Sequence, residues 1–227
     1  VLWELSLNES TFDKEFAQNA VAIGHAELPQ DPCYICGWDF DTTYDVYIRN
    51  SDHYPSARDY SGSAPIVIDE HGHWGYGGAE STSDAKRSDG EAALLQQAWN
   101  HQESLHLNRI ALSDLCGDNI WVFNDLVGWA SGVSDWYRLP KFSYYFWQSQ
   151  RDPNLILADA NSGPMIFIAN YWTANSPNDV RIFSNCDQVR LYINDVNQGI
   201  QNPDANSDET PTDGLPHPPF TFTVSYS

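Results

Sequence analysis

Positive charge is scarce in this chain. Lys and Arg total 11 against 31 Asp and Glu, a formal net charge of −20 over 227 residues. Nucleic-acid backbones and anionic membrane surfaces are therefore poor partners, because the electrostatic term repels them. Long hydrophobic runs are also missing. The best stretches, 120–130 and 164–172, fall short of the roughly 20 residues a membrane span needs and carry Asn or Asp. No fixed-period repeat or low-complexity run stands out, which excludes a solenoid. No signal-peptide pattern is visible. Val1–Leu7 already reads as a strand, so the chain is expected to begin mid-element. Cysteine is sparse as well: Cys33, Cys36, Cys116 and Cys186. Cys33-Tyr-Ile-Cys36 has the CxxC spacing, but Cys116 and Cys186 supply no second pair, which argues against a zinc site. The cysteines read as small buried side chains. A Cys33–Cys36 disulfide is allowed in an exported protein but not demanded.

Aromatic residues are plentiful: 14% of the chain, with nine Trp. That content excludes a disordered acidic tail. The first 150 residues alternate short apolar runs with helical patterns, an α/β layout with a parallel sheet. Thr11–Ala26 reads as a helix with Ser10 or Thr11 as N-cap, Asp13 in the first turn, and Phe12, Phe16, Ala20 and Ile23 on one face. Tyr34–Cys36 and Asp45–Ile48 read as short strands and Pro65–Asp69 as a stronger one. A long helix with a mixed face follows at Asp89–Asn108, then a strand at Asn119–Phe123 and an aromatic helix at Pro140–Gln150. Beyond Arg151-Asp-Pro153 the pattern changes. Met165–Tyr171, Val180–Ser184, Val189–Ile193 and Phe220–Tyr226 read as strands of a β-sandwich, with turn signals at Asn194-Asp195 and Asn197-Gln-Gly199 and a loop over Gln201–Pro219. The boundary falls at about Asp152, giving segments 1–151 and 152–227. The second is short for a sandwich of roughly 100 residues, so it is expected to be incomplete.

Two carboxylates stand out by position. Glu9 follows the first strand in Leu7-Asn8-Glu9, and Glu70 follows the Pro65–Asp69 strand. In a parallel α/β barrel the chemistry sits at the C-terminal ends of strands. Paired carboxylates there are what glycosidic bond cleavage needs: one protonates the leaving oxygen, the other attacks the anomeric carbon or activates water. The competing reading is that both are solvated loop residues in a chain rich in acids.

The surrounding residues bear on that choice. Trp3-Glu-Leu-Ser-Leu-Asn8-Glu9-Ser10 resembles the acid/base segment of glycoside hydrolase family 2, where an Asn-Glu pair ends strand 4 of a (β/α)8 barrel. Pro65-Ile-Val-Ile-Asp-Glu70-His-Gly72 resembles that family's nucleophile segment at the end of strand 7. Asn119-Ile-Trp121-Val-Phe-Asn-Asp125 is similar to its strand 8, and Arg138-Leu-Pro-Lys141 with Ser143-Tyr-Tyr-Phe146 to the closing helix. Val180 to Asn194 resembles the immunoglobulin-like domain that follows the barrel. Each motif alone is weak; their order and spacing together are specific.

The resemblance implies a fold: strands 4–8 of a TIM barrel, then an immunoglobulin-like β-sandwich. It also implies roles. Glu9 is expected to be the acid/base, its pKa raised by burial and a neighbouring carboxylate. Glu70 is expected to be the nucleophile that forms a glycosyl-enzyme ester. The family retains anomeric configuration, so the two carboxyl groups should lie about 5–5.5 Å apart. Asn8 would donate to the sugar 2-hydroxyl. Asn8-Glu-Ser10 also spells a glycosylation sequon, but a glycan there would block the pocket. Trp121 would stack on the sugar, against ordinary core packing as the alternative. His73, three residues past Glu70, would bind sugar hydroxyls as in the β-galactosidase branch. Asp125 would bind a hydroxyl or cap the last helices. Tyr47 or Tyr54 would stand beside the nucleophile. Trp38, Trp74 and Trp129 read as packing or rim residues.

Trp129-Ala-Ser-Gly-Val-Ser-Asp-Trp136 has no Lys where the β-glucuronidase branch carries an Asn-x-Lys signature, and His73 points to a terminal β-galactoside. β-Glucuronidase or β-mannosidase activity and a non-catalytic carbohydrate-binding module are the rival readings. Some relatives bind Mg²⁺ or Na⁺, but no ligand cluster here identifies a metal, and no cofactor is expected. Five strands cannot close an eight-strand barrel. The expected partners are an oligosaccharide substrate and the rest of the barrel, from the same polypeptide or another chain. The acidic surface leans toward a secreted or periplasmic setting.

Overall fold

The computed structural model describes residues 2–5, 13–34, 45–49, 64–71, 84–111, 115–207 and 210–225. In the first part every paired strand is parallel. β1 (Trp3–Glu4) pairs with β2 (Cys33–Tyr34) across helix α1 (Lys14–Glu27). β3 (Tyr47–Arg49), β4 (Ile66–His71) and β5 (Leu115–Ile120) form a second sheet in that order. The Asp45 amide donates to the Cys33 carbonyl at 3.1 Å, which ties β2 to the residues just ahead of β3. Helix α2 (Glu91–Ala111) makes the crossover from β4 to β5 that a parallel pair requires.

Two details of α1 differ from expectation. Its N-cap is Asp13, whose Oδ1 accepts the Phe16 amide at 2.7 Å; Ser10 and Thr11 lie outside the described residues. Its buried face is Ala17, Val21 and Gly24, packed around Cys33, while Phe16 and Ile23 are 50% and 64% exposed. Rows one residue apart satisfy the helical period equally well. The small row wins because the helix lies close to β2: a Cβ on Gly24 would stand 2.6 Å from Cys33 Sγ.

α2 begins two residues later than expected. A single turn of tighter helix (Arg87–Asp89) and Gly90, with φ of 89°, precede it. Its mixed face is explained by what surrounds it. Leu94, Ala98 and Leu105 join a core with Phe142 and Phe146 of α3 (Phe142–Ser149). Three of its buried polar side chains are hydrogen-bonded to residues outside the helix. Gln97 donates to the Ala130 and Gly132 carbonyls and accepts from Ser143 Oγ; Gln102 donates to the Pro211 carbonyl and accepts from Arg181; His101 accepts from Trp147 Nε1. Buried polar groups stay native-like only when so satisfied.

The remainder is antiparallel. β6 (Ile166–Ala169), β7 (Asp179–Ser184) and β10 (Phe220–Thr223) form one sheet in the order β10-β7-β6; β8 (Val189–Ile193) and β9 (Val196–Gln201) form a hairpin. β7 is covered on both sides. Val180 and Ile182 enter the core shared with Leu191, Phe220 and Phe222, while Phe183 turns to α3 and Phe146. Asn194 and Asp195, with φ of 47° and 64°, make the two-residue hairpin turn. The second expected turn is not one. Asn197-Gln-Gly199 lies inside β9, where Gly199 (φ 104°) and the Gly199 amide donating to Asn197 Oδ1 produce a one-residue register shift. The same turn chemistry here makes a bulge.

Candidate functional site

Strand β4 is the middle of the three-stranded parallel sheet, and Glu70 is its penultimate residue, inside the strand where the sequence placed it just beyond. The register aligns Ile68 with Asp118 and His71 with Ile120, so Glu70 reaches the C-terminal edge together with the end of β5. Parallel α/β sheets present functional groups at that edge. Asn8, Glu9, His73 and Tyr54, with Trp38 and Trp74, lie outside the described residues. Tyr47 is buried and pairs with Ile66 at the opposite end of β4, away from Glu70.

Past β5 the chain folds into a cross-bonded loop. Trp121 is half-buried at its start, and the Trp121–Val122 peptide is cis. Val133 and Ser134 amides donate to the Val122 and Phe123 carbonyls, and the Asp125 amide donates back to the Ser134 carbonyl. Gly132 has no room for a Cβ against the backbone of Asn124 and Asp125. Inside the loop Lys141 Nζ donates to Asp125 Oδ1 at 2.7 Å and to the Ala130 carbonyl at 3.0 Å. The Gly132 amide donates to the same carboxylate oxygen at 3.0 Å. The Lys141 side chain is fully buried. Burial pushes its ammonium below the ordinary lysine range, against the hydrogen bond and charge of Asp125 that hold it up. Asp125 thus holds the residue that precedes α3, while it also borders the adjoining cleft.

A second ion pair closes the outer edge. Arg87 Nε donates to Asp135 Oδ2 at 2.8 Å, and Arg87 Nη2 donates to the Leu139 and Pro140 carbonyls. Asp135 Oδ1 accepts the Tyr137 and Leu139 amides, both at 2.9 Å. Burial pushes the Asp135 carboxyl up, but Arg87 and these amides outweigh it, and the group sits below the usual carboxylate range. The pair braces a cleft of about 460 Å³ lined by Asp84, Lys86, Asp89, Asp125, Trp129 and Trp136. Trp129 and Trp136 are 43% and 56% exposed, more open than packing residues. The sequence missed Lys141 and Asp135 as the cleft's supports. The only available signal was an Asp at each end of a Gly- and Ser-containing loop, with a Lys ahead of an aromatic helix.

A family described as "Domain of unknown function (DUF4982)" matches residues 175–227. A β-galactosidase of Thermoanaerobacter pseudethanolicus is 42% identical over 97 residues, covering 41% of this chain and 12% of that protein. The resemblance to glycoside hydrolase family 2 is borne out. A β-galactosidase of Thermoanaerobacterium thermosulfurigenes is 25% identical over 97% of this family 2-like chain and 32% of its own length. A β-glucuronidase of Parabacteroides merdae shares the fold with a TM-score of 0.65 at 20% identity, over all of this chain and 32% of that one. The chain thus spans about a third or less of the length of these three proteins.

Proposed function

We propose that this chain is the C-terminal part of the catalytic barrel of a retaining glycoside hydrolase, strands 4–8 over residues 1–151, followed by an immunoglobulin-like sandwich over 152–227. In this reading the remaining strands come from the same polypeptide or another chain. The observation that carries it is Glu70 at the C-terminal edge of the central parallel strand. Glu70 attacks the anomeric carbon and the leaving oxygen departs with a proton from Glu9; Glu9 then takes a proton from the water that hydrolyses the ester. Asn8 holds the sugar 2-hydroxyl, His73 further hydroxyls, and Trp121 the apolar face of the ring.

The substrate read here is a terminal β-galactoside, in keeping with the names of the two curated relatives. Taken as the sugar pocket, the cleft favours a neutral sugar by its charge. Lys141 is engaged with Asp125, and Lys86 shares the lining with Asp84 and Asp89, so a sugar carboxylate would meet more negative than positive charge. A β-glucuronidase is the second reading, favoured by the structural neighbour of that name.

Turnover of paired aryl β-galactosides and β-glucuronides, followed by proton NMR of the first-formed product, tests both parts. A β-configured galactose product is expected. An α-configured product overturns the retaining mechanism, and preferential glucuronide cleavage overturns the sugar. Glu9→Ala should slow substrates with poor leaving groups by about 10²–10⁴-fold, with partial rescue by azide; equal slowing of all leaving groups without rescue overturns the acid role.

A further inference from the structure

One cluster lies apart from the cleft, where α1, β2 and the approach to β3 meet. His25 is in the last turn of α1, Cys33 opens β2, and Asp45 precedes β3. One potential ligand atom from each lies within 4.8 Å of the others. His25 Nε2 and Asp45 Oδ2 are 2.7 Å apart. The Cys33 amide donates to the same Asp45 oxygen at 2.7 Å, and the Asp45 amide donates to the Cys33 carbonyl. Cysteine and aspartate are therefore locked to each other through the backbone. Gly24 leaves the space that Cys33 Sγ fills.

An ordinary surface ion pair explains part of this. An exposed His–Asp contact contributes about 0–1 kcal/mol and needs nothing beneath it. It does not explain a buried thiol brought to the same point by a glycine on the helix and a backbone bond on the strand. We propose that His25, Cys33 and Asp45 bind a borderline-soft divalent metal of the zinc class, with water as the fourth ligand, and that this metal clips α1 to the parallel strands.

The chemistry suits the ion. Thiolate, imidazole and carboxylate together are a zinc donor set, whereas Mg²⁺ and Ca²⁺ want oxygen alone. One thiolate and one carboxylate neutralise the dication. Binding releases the Cys33 thiol proton, and any proton shared by His25 and Asp45, to water. Ligand atoms around tetrahedral zinc stand about 3.3–3.7 Å apart. The observed cluster therefore needs His25 to open slightly from Asp45 and the widest pair to close. His25 is 45% exposed, so solvent borders its ring. The site sits among strand starts and a helix end, away from the edge where β4 carries Glu70, so its role is structural. CxxC counting alone pointed away from zinc, because two of the three ligands are a histidine and an aspartate far from the cysteine in sequence.

The test is cobalt substitution on the purified, chelator-treated protein. One equivalent of Co²⁺ is expected to give a near-ultraviolet thiolate charge-transfer band and intense visible bands of a tetrahedral site. Cys33→Ser should remove the charge-transfer band, while Cys116→Ser and Cys186→Ser leave it. Exposed His25→Gln avoids any folding defect of the Cys33 variant. It should weaken zinc binding, measured by competition with a chromophoric chelator, by at least about tenfold, the lower end of what even an outer-shell change does. Zinc should raise the melting temperature of the wild type and not of His25→Gln. The proposal is overturned by absence of the band, by a band that survives Cys33→Ser but disappears in Cys36→Ser, or by zinc affinity unchanged in His25→Gln.

Discussion

Among the described residues, the parallel and antiparallel parts of this molecule show different packing. In the antiparallel half with its flanking helices, large side chains meet large side chains. Phe146 packs edge-on to Phe183 with ring centroids 5.8 Å apart, and Tyr145 stacks on Phe167 at 3.6 Å. In the parallel half the described clusters are small: Ala17, Val21 and Cys33 in one, Tyr47, Ile66 and Ile68 in another. Large apolar residues such as Phe16, Ile23 and Trp3 remain exposed there. The candidate chemistry belongs to the parallel part, where β4 ends at Glu70. Stability and activity should therefore respond to different substitutions.

The largest effect expected is on rate. Glu70→Gln should lower turnover by about four orders of magnitude or more while leaving the melting temperature within error; steady-state kinetics and a thermal melt on the same sample check both. Next come substitutions in the described core. Phe183→Ala leaves a cavity between β7 and α3 and should cost about 3–5 kcal/mol in urea unfolding. Lys141→Ala strands a buried Asp125 and should cost a similar amount, about 3–5 kcal/mol. Phe16→Ala should change stability by no more than about 0.5 kcal/mol, because the side chain is half in water. If Phe16→Ala cost as much as Phe183→Ala, the contrast between the halves would fail.

The pH response sharpens the same contrast. Asp135 has its folded pKa below the unfolded value of about 3.9. It therefore contributes stability that is fully present above that value and lost as pH falls through the folded pKa. Urea midpoints measured from neutral pH into the acid range should fall below about pH 4. Asp135→Asn should flatten that acid limb and lower the plateau, since the amide cannot replace the ion pair with Arg87.

Much of the fold was legible because local signals agreed with tertiary needs. Ile66-Val-Ile68 could only be a buried strand, and Asn194-Asp195 could only reverse the chain. Where two patterns fitted, the sequence favoured the bulkier side chains. On α1 it chose Phe16 and Ile23 over Ala17, Val21 and Gly24, because the close approach to Cys33 that excludes larger residues is a tertiary fact. Gly199 read as a turn because a bulge and a turn use the same conformations. The place of Glu70 at the C-terminal edge of its strand was legible from the β-branched run before it. Lys141 beneath Asp125 was not, since burial of a lysine is written in the surrounding loop and not in its neighbours.

In the proposed reading Glu70 is the nucleophile of a retaining β-galactosidase-like site. Inactivation with a 2-deoxy-2-fluoro-β-galactosyl fluoride, followed by mass spectrometry of the labelled peptide, tests it most directly, with circular dichroism of the same sample to establish that it is folded. A galactosyl adduct on Glu70 is predicted; an adduct on any other carboxylate, or none on folded protein that turns over β-galactosides, would contradict it.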